Sequence, residues 1–142
     1  MKFKLGVNVS AILLASAFFL TGCDKPDSFV GCYAPSNNDS ARWKIEKMDG
    51  GYKFSRLENE MWTSKGGVFT LKTNEIKGQL NGSGVEGAKL ASAIEEALAA
   101  DGIGVVIRLK KELTGPGKEF KSEFLAIAGI EIFMTPVGCQ SK

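Results

Sequence analysis

The chain has 142 residues, which suits one domain with a modest core and is too short for two. Its 18 basic side chains face 16 acidic ones, a balance that excludes a general nucleic-acid binder, because such a protein needs a basic footprint to displace counterions from phosphates. It has no histidine, so the commonest general base and the commonest metal ligand are both missing.

Lys2 and Lys4 precede an apolar run that ends at Leu20, and the run is shorter than the roughly 20 residues needed to span a bilayer. It closes on Leu20-Thr21-Gly22-Cys23. This pattern resembles the cleavage site of bacterial lipoproteins. The resemblance implies a signal peptide over 1–22, removed by a lipoprotein signal peptidase that accepts the small Thr21 and Gly22. It further implies that the Cys23 thiolate takes a diacylglycerol, that 23–28 form a lipidated tether, and that 29–142 form one periplasmic domain. The membrane is then a partner, held through the N-terminal lipid, and more than one acyl chain makes that hold stable. Asp24, directly after the lipidated cysteine, is similar to the residue that keeps enteric lipoproteins in the inner membrane. Other bacterial groups read other positions, which leaves the outer membrane open. At about 3.5 Å per residue the tether reaches under roughly 20 Å, so the domain is expected against its membrane. Lys2 and Lys4 leave with the signal, and the remaining chain carries 16 basic and 16 acidic side chains.

With Cys23 acylated, Cys32 and Cys139 remain. The oxidising compartment and their positions at the two ends of the domain predict a disulfide between them. A loop of that length contributes roughly 4 to 5 kcal/mol in the chain-entropy model. A redox or metal pair is disfavoured by the lack of C-x-x-C spacing and of histidine.

Along the domain the apolar period is mostly two. A strand is predicted over 29–33, then a loop over 35–40. Trp43 and Ile45 alternate with charged residues, Asp49-Gly50-Gly51 makes a turn, and Tyr52 and Phe54 continue the alternation, which predicts a β-hairpin. In Asn59-Glu60-Met61-Trp62-Thr63, Met61 and Trp62 point to opposite faces of an extended chain, and with Arg56 nearby they form a candidate protein interface. The alternative is that Trp62 caps the core edge. A second hairpin is predicted from 68–71 and 75–80, joined through Thr73-Asn74.

Leu90, Ile94, Ala97 and Leu98 share one face of a helix expected over 86–100. Ser83 and Glu86 have the form of a capping box, and Gly102 suits the residue after the helix. Strands are expected over 103–109, 120–127 and 130–134, with Gly115-Pro116-Gly117 as a loop and Gly129 as a turn or a bulge. Strands, one helix, then strands argue α+β, mainly an antiparallel curved sheet or partly open barrel with one helix across a face or end.

Gly82-Ser83-Gly84-Val85-Glu86-Gly87 matches G-x-G-x-x-G, but the expected strand before it is half polar, only one helix is evident, and no further βα units follow. A flexible turn entering a capped helix accounts for it. Gly115-Pro116-Gly117-Lys118 lacks the spacing of a phosphate loop and has Glu119 where Ser or Thr is required. Glu95 and Glu96 read as the solvated face of the helix. Gly31-x-Tyr33 is similar to the Gly-x-Trp strand that opens lipocalin-type barrels, with tyrosine in place of tryptophan. That resemblance implies a cavity for a small apolar ligand lined by Trp43, Tyr52, Phe54 and Phe69. The competing reading is a first strand in which Gly31 permits close packing.

The expected function is a non-enzymatic, membrane-anchored binding module whose partner is a periplasmic or envelope protein, of envelope-assembly or inhibitor and immunity type, with no cofactor and no metal. Two alternatives stand beside it. One is a small-ligand or lipid-binding barrel of lipocalin type. The other is a histidine-free hydrolase using carboxylates or a Ser-Lys pair.

Overall fold

The alternation of Trp43 and Ile45 with charged residues makes β2 (Trp43–Met48), and the same pattern makes β3 (Gly51–Glu58), which pairs antiparallel with it and sets Ile45 opposite Phe54. The structure, a computed structural model, describes residues 27–64 and 66–140. Leu20-Thr21-Gly22-Cys23 and Asp24, on which the lipoprotein resemblance rests, lie outside the described residues. The other strands are β1 (Gly31–Ala34), β4 (Met61–Ser64), β5 (Thr70–Leu71), β6 (Ile94–Ala100), β7 (Gly104–Leu109), β8 (Phe124–Ile127) and β9 (Glu131–Val137). Nine strands form one sheet in the order β4-β3-β2-β1-β9-β8-β7-β6-β5.

The sheet curves until Phe69, just ahead of β5, exchanges two main-chain hydrogen bonds with Tyr52 of β3, at 2.9 and 3.0 Å. No longer ladder joins these strands among the described residues, so the sheet stays open. Gly51 permits the approach, because a Cβ there would collide with the Phe69 carbonyl oxygen.

Antiparallel pairing sorts the connections to two ends. The entry at 27–30, the β2–β3 turn and the connection from β7 to β8 lie at one end. The loop 35–42 and the turns β3–β4, β6–β7 and β8–β9 lie at the other.

The α+β class and the antiparallel curved sheet agree with the sequence reading, but there are two helices where one was expected. α1 (Thr73–Asn81) occupies the segment expected to be the second arm of a hairpin. Ile76 and Leu80 satisfy a period of four as well as a period of two, and the helix buries Ile76 against the sheet. α2 (Val85–Ala93) stops seven residues before the expected end at 100, because Ile94, Ala97 and Leu98 belong to β6. Gly102, expected after a helix, instead makes the β6–β7 turn with φ of 73°. The expected capping box is absent: Gly84 is the N-cap residue of α2, and the Ser83 hydroxyl donates to the Leu80 carbonyl at 2.8 Å. The G-x-G-x-x-G stretch therefore joins two helices. The expected strand over 120–127 starts only at Phe124, and Gly129 makes a turn with φ of 82°.

Strand β6 explains the misleading pattern. Leu98 and Ala100 face the inside of the curved sheet with Phe29, Tyr33, Ile45, Phe69 and Phe124. Ala97 and Ala99 face outward beneath α1 and α2, with Ile76, Ile107 and Leu125. Burial on both faces demands an apolar run without alternation, and small alanines let the helices approach closely.

Cys32 and Cys139 are bonded, with Cα atoms 5.1 Å apart and a sequence separation of 107. Replacing both by serine is expected to lower the unfolding free energy by roughly 4 to 5 kcal/mol in urea titrations, from loop-closure entropy alone. An unchanged midpoint would show that the bond contributes nothing to stability.

Candidate functional site

Three features could carry function; the hairpin was expected from the sequence, the apolar cleft only in part, and the clamp at the first described residues not at all. The first is the β3–β4 hairpin. Its turn consists of Asn59 and Glu60, with φ of 49° and 64°, the left-handed pair of a type I′ turn. Asparagine tolerates this conformation, whereas at Glu60 it costs about 1 kcal/mol. β4 is an end strand, so its outer edge has no strand beside it among the described residues. Met61 is 70% exposed.

The structure separates the expected interface residues. Trp62 lies opposite Leu57, and Thr63 opposite Arg56. Alternation then places Trp62 on one face, with Arg56 and Met61 on the other. Trp62 is half-buried under the Lys44 ammonium, which sits 4.9 Å from the ring centre. Arg56 is 3.9 Å from Glu58, and with Arg42, Asp39 and Glu60 it lines a polar cleft of about 520 Å³.

The second feature is a clamp on the first described residues. Asp27 accepts hydrogen bonds from the Phe29 amide at 3.1 Å and the Tyr52 hydroxyl at 2.5 Å, and the Lys47 ammonium lies 3.5 Å away. Burial pushes the Asp27 carboxyl up, but the Tyr52 and Phe29 hydrogen bonds and the Lys47 charge outweigh it and hold the group below its ordinary value. Ser28 donates to Glu96 at 2.8 Å, and Glu96 also accepts from Arg108 at 2.9 Å. Arg108 reaches Glu123 at 3.5 Å. Glu96 is thus part of an ion-paired network on β6, while its neighbour Glu95 is exposed. The Arg108 hydrogen bonds, helped by Ser28, keep Glu96 below its ordinary value against the opposing effect of burial. Below the clamp, the Tyr33 hydroxyl donates to the Phe29 carbonyl at 2.5 Å, and burial drives its ionisation well above the ordinary tyrosine value.

The third feature is an apolar cleft of about 360 Å³ at the end of the sheet that carries the β6–β7 turn, with Phe54, Phe69, Ile103, Val106, Ala126 and Ile127 in its walls. Of the aromatic residues expected to line a cavity, Phe54 and Phe69 do so. Trp43 and Tyr52 pack against the inner core instead. No family model, no curated protein and no solved structure matches the chain.

Asp27 and Glu96 are both held below their ordinary values, so the stability they contribute is complete above about pH 5 and lost as the pH falls through their folded-state values. Solvent screening keeps each contribution under about 1 kcal/mol. Asp27→Asn with Glu96→Gln is therefore expected to lower stability more at pH 7 than at pH 2.5. A loss of equal size at both pH values would assign the effect to packing.

Proposed function

We propose that the protein is a lipid-anchored lipoprotein of the bacterial envelope that faces the periplasm and works, without catalysis, by binding another protein. The anchor rests on Leu20-Thr21-Gly22-Cys23 and on Asp24, which favours the inner membrane. A disulfide spanning the domain suits an oxidising compartment. The tether meets the domain at Asp27, where the clamp fixes the direction from which the chain enters.

The observation that carries the binding role is the β3–β4 hairpin. It offers a partner an unpaired strand edge, an exposed Met61 and a partly exposed Trp62, the elements of recognition by strand addition with an aromatic anchor. The left-handed Glu60 holds the hairpin tip in a strained shape, as recognition loops often do. The hairpin tip lies at the end of the sheet opposite the tether, where a soluble or envelope partner can approach. The partner class is an envelope assembly, or a toxin or hydrolase that the domain restrains.

Two measurements test this reading. A photoreactive side chain at Thr63 of the full chain in cells is expected to give one discrete protein adduct, and Trp62→Ala is expected to weaken it about tenfold or more. No adduct from Thr63 in a correctly anchored protein would overturn the binding role. Separately, Cys23→Ser is expected to abolish lipid labelling and release the domain from the membrane fraction, and unchanged fractionation would overturn the anchor.

A further inference from the structure

The apolar cleft has a chemistry of its own. None of its lining side chains bears a charge or a hydrogen-bonding group: they are phenylalanine, isoleucine, valine, alanine and glycine. Much of the main chain of its walls is also engaged. Val105 pairs with Ile127 and Val106 with Ala126, Phe69 bonds to Tyr52, and the Ile103 amide donates to the Ala100 carbonyl at 3.0 Å. Such a wall has little to offer an ion, a sugar or a nucleotide, each of which would leave most of its own polar groups unpaired there. What it favours is hydrocarbon taken out of water.

The size is sufficient. A dry apolar cavity of roughly 150 Å³ admits benzene, and ligand sites start near roughly 300 Å³. The cleft measures about 360 Å³ and is open on one side. Its lining continues outward in sequence, because Val68 adjoins Phe69 and Ile130 follows the turn after Ile127, and these two are 40% and 68% exposed. The walls are also fixed in place: a Cβ at Gly104 would run into the Ile127 carbonyl oxygen at 2.6 Å, so β7 and β8 stay in close contact beside the opening. At the tether end Phe29 is buried in the inner core against Tyr52 and Phe124.

We infer that this cleft is a binding site for a single alkyl chain, inserted tail first with its polar head left at the open rim. The site is independent of the hairpin proposed to bind a protein. The chain can come from a free fatty acid or from a membrane lipid, and the test separates these sources.

The probe is a dodecanoyl chain with a diazirine at its terminal carbon, supplied either as the free acid or as a lysophospholipid, to the full lipidated chain in nanodiscs. After irradiation, adducts are mapped by mass spectrometry. The expected result is saturable labelling of the peptides that contain Phe69, Ile103 and Ala126, with the more efficient of the two probes naming the source. Ala126→Phe, which fills the cleft from its wall, is expected to cut this labelling about tenfold while adducts near the tether persist as an internal control. Ile103→Trp, which fills it from the turn, serves if Ala126→Phe does not fold. Labelling confined to peptides near Phe29 in the wild-type protein, or undiminished cleft labelling in a folded filled variant, would overturn the site, and neither result bears on adducts from Thr63.

Discussion

The two halves of the sheet meet along β1. On one side it pairs with β2, which leads to β3 and β4, and on the other with β9, which leads to the strands under the helices. Everything that fixes the domain converges on this four-residue strand and its approach. Cys32 ties it to the end of the chain, Tyr33 packs edge-on against Phe124, and Phe29 seals the inner core between Tyr52 and Phe124. A single bridge, Tyr52 to Phe69, supplies the other junction. The long loop closed by the disulfide and the non-local pairing of β1 with β9 both cost chain entropy on folding, which is why a covalent tie at this seam is worth more than a local one would be.

The same strand relates structure to the proposed role. The segment that would join a lipid anchor enters directly ahead of Phe29, and its first described residues are hydrogen-bonded to β3 and β6 and ion-paired with β2 rather than left as a loose linker. A rigid entry point gives the domain a defined orientation. With an anchor ahead of Asp27, as proposed, the β2–β3 turn would face it and the strained β3–β4 hairpin and the apolar cleft would point away from it. Both candidate binding features therefore occupy the exposed end, one by strand edge and aromatic contact, the other by a hydrocarbon-lined opening.

Much of this was legible in the sequence where one face of a strand meets water. Trp43, Ile45, Tyr52 and Phe54 alternate cleanly because the opposite faces of β2 and β3 carry Lys44, Glu46 and Lys53, and the cysteines pair as their positions at the two ends of the domain suggest. Legibility fails where a strand is covered on both sides. In β6 the run of alanine and leucine has no period of two to show, and with Leu90 it counterfeits a helix face that the chain leaves at Ala93. Glu96 was invisible as an ion-pair partner because Arg108 reaches it only through the β6–β7 register. The cleft was legible only in part: the lipocalin-like start implied an apolar cavity and placed Phe54 and Phe69 in its wall, but the β7 and β8 residues that complete it are brought there by no local pattern. The expected interface of Trp62, Met61 and Arg56 lies on one hairpin but on two of its faces, a consequence of the two-residue turn that sets the register.

The central claim is that a short tether holds this domain against a membrane in one orientation. Its most direct test is fluorescence of the full lipidated chain in nanodiscs, with a dye placed at Asp49 or at Asp101 through a non-canonical amino acid, and a quencher on the lipid headgroups. The account predicts strong quenching at Asp49, in the turn beside the clamp, and weak quenching at Asp101, in the turn at the far end. Equal quenching at both positions, or the reverse order, would contradict it.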